Sequence, residues 1–424
     1  MEVMIRKTRD VDLSFEAPPS KSYTHRALIA GSLAEGRSVV RHPLVSKDTL
    51  ITRQALEQLG INIEDVPEGW AIDGSGGDLD CEKQCTIDAG NSGTTLRLLA
   101  TVALLSRSAV TLTGSRRMQE RPIAPLCDAL RVLGAEIRYL GKVGFPPVTV
   151  DGRFHGGRVE VDARMSSQYV SSILLGAPYA GEEVTVSLPG PVSSRSYIDV
   201  TVDIMEKFGA LVSRDGYRQF TVRNSRKYKG RTYSVEGDYT SASYFFAIAA
   251  ICGGRVQVSN LDPDSAQGDR AFVGALETMG CQVSCGRDAL TVESTGPLRG
   301  IEIDMSSSPD TVQTLCMVAA CADGMSRISG ISHLKYKESD RVRTTADLLN
   351  SLGGNVTVEE DALVIVPAPL HGGRIQTHDD HRIAMSFSVL GLGTGDIVIE
   401  DAECVEKSFP GYWKAFQGAG LCRG

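Results

Sequence analysis

The sequence predicts a mixed α/β (α+β) chain of two similar domains, each built from three repeated units. Three observations carry this expectation. The chain has 424 residues, more than one hydrophobic core normally serves, so two domains of roughly 200 residues each are expected. A helix-ending pattern recurs six times. Pairs of alternating strands joined by a polar turn follow it.

The recurring pattern is an apolar residue, two others, an apolar residue, then Gly. It occurs at Leu56, Leu59 and Gly60, and again at Leu130, Leu133 and Gly134. It returns at Met205, Phe208 and Gly209, at Leu276, Met279 and Gly280, and at Leu349, Leu352 and Gly353. A weaker copy lies at Phe416, Ala419 and Gly420. Apolar residues at i and i+3 share one helix face. A Gly just beyond them can take the left-handed conformation that ends a helix. The glycines are 74, 75, 71, 73 and 67 residues apart. That period exceeds the roughly 20–50 residues of a solenoid repeat, so six compact units in two domains are expected.

The strand pairs are legible in three units. Cys281 to Cys285 alternates, residues 286–288 turn, and Ala289 to Glu293 alternates again. Residues 356–358, 359–361 and 362–366 repeat the scheme, as do 210–213, 214–216 and 217–222. The chain is expected to cross between domains near Ala17-Pro18-Pro19 and again near Arg231-Thr232-Tyr233-Ser234. This gives an N-terminal domain at 18–232 and a C-terminal domain at 1–17 plus 233–424. The sixth unit runs out of chain after Gly420, so Val3-Met4-Ile5 is expected to supply its missing strand.

Composition narrows the function. The formal net charge is −8, which argues against a broad nucleic-acid surface. It does not argue against small anionic substrates, because a few converging cations dominate locally. The ten cysteines are scattered. Cys81/Cys85 and Cys281/Cys285 have three residues between them, not the two of a zinc knuckle, and no His follows at ligand spacing, so no metal site is expected. The start of the chain lacks an apolar signal segment, and no run reaches the ~18–20 apolar residues of a membrane span. A cytoplasmic protein, acting as a monomer, is expected.

Five clusters are chemical candidates. Pro18-Pro19-Ser20-Lys21-Ser22 leads into a helix whose N-terminus offers N–H groups to an anion, with Lys21 and Arg26 beside it. Gly90-Asn91-Ser92-Gly93-Thr94 lets backbone approach a ligand closely. Arg116, Arg117 and Arg121 suggest an anion clamp. Ser166-Ser167-Gln168 and Ser193-Ser194-Arg195 offer hydroxyls and an amide. Asp310, Lys335 to Arg341, Asp379-Asp380-His381-Arg382 and Lys407 place carboxylates among cations, as proton transfer beside anionic substrates requires. Each cluster taken alone fits an ordinary capped helix, a structural turn, a solvated loop or a structural ion-pair network equally well.

Their order is more specific. Pro-Ser-Lys-Ser-x-Thr-x-Arg, Gly-Asn-x-Gly-Thr, Arg-Met-x-Glu-Arg-Pro, Ser-Ser-Gln, Lys-Glu-x-Asp-Arg, Asp-His-Arg and Lys-x-Phe-Pro occur in series from Pro19 to Pro410. In this the chain resembles the 3-phosphoshikimate 1-carboxyvinyltransferase (EPSP synthase) family over nearly its full length. The resemblance implies two domains of three βαβαββ units each, closing on substrate, with the active site in the interdomain cleft. It implies two substrates, phosphoenolpyruvate and shikimate 3-phosphate, and chemistry that needs no metal and no organic cofactor. Shikimate 3-phosphate would be held by Lys21, Ser22, Arg26, Ser166, Ser167, Ser194, Asp310, His333 and Lys337. Phosphoenolpyruvate would be held by Lys21, Gly93, Arg117, Gln168, Arg341, Arg382 and Lys407. Asp310, Glu338 and Lys21 would carry the proton transfers. Two other readings stand beside it. One is the sister enzyme acting on UDP-N-acetylglucosamine, whose usual Lys-Asn and mobile-loop Cys are absent from the first motif and from residues 114–122. The other is a non-catalytic fold-mate that binds phosphorylated ligands.

Overall fold

The computed structural model describes residues 1–81 and 85–423. The chain divides into two compact units, residues 19–235 and residues 1–18 with 236–424. The described strands form six four-stranded sheets, three in each unit.

The sheets share one plan. Cys85–Asp88 runs parallel to Val110–Thr113, which pairs antiparallel with Val148–Gly152, and that strand pairs with Ala135–Tyr139. The helices Gly93–Val102 and Ala124–Val132 follow the first and second strands. The order is therefore βαβαββ, with the last two strands forming a hairpin. Gly157–Glu160 with Val184–Ser187, and Glu302–Asp304 with Ser326–Ser329, open their sheets in the same parallel way.

The other sheets borrow strands across the chain crossings. Thr232–Ser234, from the end of the unit 19–235, runs parallel to Glu35–Arg41 and opens its first sheet. Tyr233 and Ser234 therefore lie with residues 19–235, slightly beyond the expected boundary at 232. Val11–Glu16 runs parallel to Gly254–Ser259 and opens the first sheet of the other unit. Val3–Ile5 lies between Ile397–Ile399 and Cys422–Arg423, filling the hairpin position of the sixth sheet.

The helix-ending glycines behave as their spacing suggests. Gly60, Gly134, Gly209, Gly280, Gly353 and Gly420 have φ of 89°, 107°, 99°, 112°, 87° and 75°. A side chain is disfavoured in this left-handed region. The following N–H closes the helix end, as in Cys281 to the Leu276 carbonyl at 2.9 Å and Gly354 to the Leu349 carbonyl at 2.9 Å. One strand differs from expectation. Val212–Asp215 extends through the expected turn, because Arg214 pairs with Phe220 and Asp215 with Gln219. The turn tightens to residues 216–218, closed by Arg218 N–H on the Asp215 carbonyl at 3.0 Å.

The first helix of each repeat is the most buried. Lys21–Leu33, Gly93–Val102 and Gln168–Gly176 occupy the interior of one unit. Tyr239–Cys252, Val312–Ala320 and His381–Thr394 occupy the interior of the other. Apolar or small residues on every face let such helices pack on all sides. The second helices are amphipathic: Arg341–Ser351 buries Val342, Thr345, Ala346 and Leu349 and exposes its polar face. Helices that follow parallel strands begin at the strands' carboxyl ends, where α/β sheets gather ligands. Lys21, Ser22, Gly93, Gln168, Arg341 and Arg382 lie at these helix starts.

Candidate active site

In the unit 19–235, Ser20 caps the helix Lys21–Leu33 from an extended backbone. Lys21 is the first helical residue, and its Nζ lies 3.5 Å from Asp48 Oδ2. Asp48 sits in the first turn of the neighbouring helix Lys47–Gln58, a favoured place for a carboxylate. One turn after Ser22, Arg26 is buried. Its Nε donates to Thr201 Oγ1 at 2.7 Å, its Nη1 to the Ser22 carbonyl at 3.0 Å and its Nη2 to the Tyr197 carbonyl at 3.2 Å. Burial lowers its pKa to about 10, with no carboxylate among the causes of the shift. An arginine held among carbonyls and hydroxyls suits an incoming anion.

Gly93 opens its helix, with Ser92 as the cap accepting from Thr95 N at 3.3 Å. Ser167 caps the helix Gln168–Gly176, and the Gln168 N–H donates to Ser166 Oγ at 3.2 Å. Gln168 joins these two helix starts. Its Nε2 donates to Thr94 Oγ1 at 3.1 Å, and its Oε1 accepts from Arg97 at 2.8 Å. Ser194 takes a positive φ of 58° just before the helix Ser196–Lys207.

Arg117 is placed differently from the other predicted residues. Its side chain is about one-third exposed, and its guanidinium faces Glu120 at 3.3 Å within the same turn. The arginine packed against Gly93 is Arg121, which is buried. A Cβ built on Gly93 would lie 2.6 Å from Arg121 Nη2. The next residue's carbonyl, that of Pro122, accepts from Arg97 at 3.1 Å and from the Tyr169 hydroxyl at 2.8 Å. This fixes the backbone beside Arg121. The clamp motif contains all three arginines, and nothing in its spacing distinguishes the buried Arg121 from the partly exposed Arg117 and the exposed Arg116.

In the unit of residues 1–18 and 236–424, Arg341 is the centre of a carboxylate cluster. Its Nη1 donates to Asp310 Oδ1 at 3.1 Å and its Nη2 to Glu338 Oε2 at 2.8 Å. Its Nε donates to Asp380 Oδ2 at 2.9 Å, and Nη2 also reaches Asp380 Oδ1 at 3.2 Å. Burial alone would lower the Arg341 pKa, but Asp380, Glu338 and Asp310 together raise it above the ordinary arginine value. Arg382 Nη2 donates to Asp310 Oδ2 at 2.6 Å, and its Nη1 to the Tyr244 hydroxyl at 3.2 Å. Lys407 Nζ lies 3.8 Å from Glu338 Oε1. Asp310, Glu338, Arg341, Arg382 and Lys407 thus form one network.

Asp380 is a further member. It caps the helix His381–Thr394 through the Arg382 N–H at 3.0 Å and accepts from Ser339 Oγ at 2.9 Å. Its place immediately before His-Arg was the signal. Tyr244, inside a helix that reads as core, gave none. His333 is buried in the short helix Ser332–Tyr336. Burial, with the Lys337 charge, lowers its pKa to about 3. Lys337 follows that helix and is half-buried. Among the described residues no group of His, Cys, Asp and Glu has the arrangement of a metal site.

Three kinds of likeness bear on this geometry. The family model described as EPSP synthase (3-phosphoshikimate 1-carboxyvinyltransferase) matches residues 5–416. A relative of that same enzyme name from Methanoculleus marisnigri is 57% identical over 421 residues, covering 99% of this chain and all of the relative. One from Methanosphaerula palustris is 53% identical, covering 99% of this chain and all of the relative. A solved EPSP synthase structure from Acinetobacter baumannii superposes with a TM-score of 0.82 at 30% identity, covering 99% of this chain and 98% of that one. The chain belongs to the EPSP synthase family, the 3-phosphoshikimate 1-carboxyvinyltransferases.

Proposed function

We propose that this enzyme transfers the enolpyruvyl group of phosphoenolpyruvate to the 5-hydroxyl of shikimate 3-phosphate, with Asp310 as proton acceptor. The observation that carries the assignment is the double grip on Asp310 by Arg341 at 3.1 Å and Arg382 at 2.6 Å. The carboxylate is held beside the cations that would bind the substrates. Anionic substrates draw those guanidinium groups toward themselves, which releases Asp310 to take a proton. The 5-hydroxyl oxygen bonds to C2 of phosphoenolpyruvate as its proton passes to Asp310. C3 gains a proton by way of Glu338, and Lys21 shares in these proton transfers. A tetrahedral ketal phosphate results. Phosphate then departs and C3 loses a proton, which restores the double bond as an enol ether.

The two substrates bring roughly five to six negative charges near neutral pH, from two phosphates and two carboxylates. Such charges repel strongly once water is excluded. Lys21, Arg26, Arg117, Lys337, Arg341, Arg382 and Lys407 offset them, and the buried Arg121 adds its charge beside Gly93. Shikimate 3-phosphate contacts Lys21, Ser22, Arg26, Ser166, Ser167, Ser194, Asp310, His333 and Lys337. Phosphoenolpyruvate contacts Lys21, Gly93, Arg117, Gln168, Arg341, Arg382 and Lys407, and the buried Arg121 lies beside Gly93. These groups bind, orient and stabilise developing charge together. In this reading the protein is a cytoplasmic monomer; no described helix is long and apolar enough to cross a membrane.

Phosphate release with each acceptor tests the reading. Turnover with shikimate 3-phosphate and none with UDP-N-acetylglucosamine supports it. The reverse pattern, or no turnover with either, refutes it. Asp310→Ala tests the base: the variant should fold and bind shikimate 3-phosphate but lose about 10²–10⁴ in kcat. Near-normal turnover would remove Asp310 from that role.

A further inference from the structure

Two buried threonines in the unit 19–235 have no role in the steps above. Thr52 lies inside the helix Lys47–Gln58, and Thr95 lies in the first turn of the helix Gly93–Val102. Threonine is a weaker helix former than alanine, and a buried hydroxyl needs a partner. Here the two hydroxyls partner each other, sharing a hydrogen bond at 2.6 Å. Thr95 Oγ1 shares a second with Ser92 Oγ at 2.8 Å, and Ser92 caps the helix that Gly93 opens. Thr52 Oγ1 shares another with His25 Nδ1 at 2.7 Å, on the helix Lys21–Leu33. His25, Thr52, Ser92 and Thr95 are all fully buried. An unbroken polar chain thus runs from the Lys21 helix to the cap of the Gly93 helix.

Asp48 meets this chain from the side. Its carbonyl oxygen lies 3.5 Å from Thr52 Oγ1 and 3.4 Å from Thr95 Oγ1. Its carboxylate faces Lys21 Nζ at 3.5 Å. One residue therefore touches the Gly93 helix with its backbone and Lys21 with its side chain.

We propose that Thr52 and Thr95 are positioning residues for phosphoenolpyruvate, fixing the start of the Gly93 helix against Lys21. The proposal rests on the assignment of Lys21 and Gly93 as phosphoenolpyruvate contacts. Both hydroxyls are buried, so they act through the groups they hold. In such a chain each O–H polarises the next, and breaking one link weakens the others. The helix start has little slack. A Cβ on Gly93 would lie 2.6 Å from Arg121 Nη2, and Thr94 Oγ1 accepts from Gln168 Nε2 at 3.1 Å. A shift of Gly93 therefore disturbs Arg121 and Gln168 as well. Ser22 and Arg26 lie on the Lys21 helix, and Arg26 is held by Thr201 and the Tyr197 carbonyl, outside this chain. The loss should fall on phosphoenolpyruvate and spare shikimate 3-phosphate.

Thr95→Val keeps the side-chain shape and removes the hydroxyl. The KM for phosphoenolpyruvate should rise about fivefold or more, with the KM for shikimate 3-phosphate changing less than about twofold. Thr95→Ser keeps the hydroxyl and should restore both values. Thr52→Val, on the neighbouring helix, should show the same split. In the double valine variant the rise should fall well short of the product of the two single rises, because both changes break one chain. A role in stability alone would lower the melting temperature and leave the ratio of the two KM values unchanged. That result, an equal rise in both KM values, rises that multiply, or a Thr95→Ser that behaves like the valine variant overturns the proposal. If Thr95→Val does not fold, Thr52→Val decides alone, and Thr52→Ala replaces it if that too fails. A wild-type enzyme with no turnover of phosphoenolpyruvate and shikimate 3-phosphate overturns the substrate reading instead.

Discussion

Gly93→Ala is the sharpest test of how the phosphoenolpyruvate side is built. The Gly93 backbone does not need a left-handed conformation, so the substitution adds no backbone strain there. The added methyl meets Arg121 instead, 2.6 Å from Nη2 and 2.8 Å from both Cζ and Nη1. Ordinary contact between a carbon and such atoms is about 3.5 Å, so the guanidinium must retreat by most of an ångström. It cannot swing into solvent without leaving its buried place, and the Pro122 carbonyl beside it is bonded to Arg97 and Tyr169. Overpacking of this kind costs about 1–3 kcal/mol. If the displaced Arg121 binds phosphoenolpyruvate, its KM should rise about 5- to 150-fold, at 1.4 kcal/mol per tenfold. The assay varies phosphoenolpyruvate at saturating shikimate 3-phosphate, then reverses the roles. An unchanged phosphoenolpyruvate KM, or an equal rise in both KM values, would refute the reasoning. A melting curve of the variant guards against a general loss of structure.

Other outcomes follow from the same geometry. Arg341→Met leaves Asp310, Glu338 and Asp380 packed without their shared cation. It should cost about 3–5 kcal/mol in denaturant unfolding, and the loss should shrink as pH falls and the carboxylates protonate. Lys21→Met should abolish turnover and weaken both substrates in calorimetry, whereas Asp48→Asn, which removes only the neighbouring carboxylate, should have a smaller effect. His333 has a depressed pKa of about 3 in the folded state, so the unfolded chain binds its proton first. Stability should therefore fall as pH drops from about 6.5 toward 3, and His333→Gln should make that fall shallower in acid titrations of unfolding. A wild-type ring that titrates near 6.5 by NMR would contradict its burial.

The repeat was legible because its signals are local. Gly60, Gly134 and Gly280 announce helix ends through backbone conformation alone, and no distant contact is needed to read them. Strand pairs such as Val356–Val358 and Ala362–Val366 alternate for equally local reasons. The site was legible as a series of short motifs, each at a helix start where a repeat places its functional residues. What stayed illegible depends on tertiary placement. Arg117 and Arg121 are four residues apart in one basic loop, and only packing makes one a neighbour of Glu120 and the other of Gly93. Tyr244 reads as core and is core, yet its hydroxyl meets Arg382.

The opening strands beside the two crossings, each far in sequence from its partner, also set an order of birth. Val11–Glu16 leaves the ribosome early, but its partner Gly254–Ser259 is about 240 residues downstream, roughly 10–50 s of synthesis at ordinary rates. Val3–Ile5 waits longer still, because it needs both Ile397–Ile399 and Cys422–Arg423. The stretch 19–235 can meanwhile complete all three of its sheets once Thr232–Ser234 emerges. The nascent chain therefore carries a finished half behind an unpaired leading edge. Its first residues are the last to find their place.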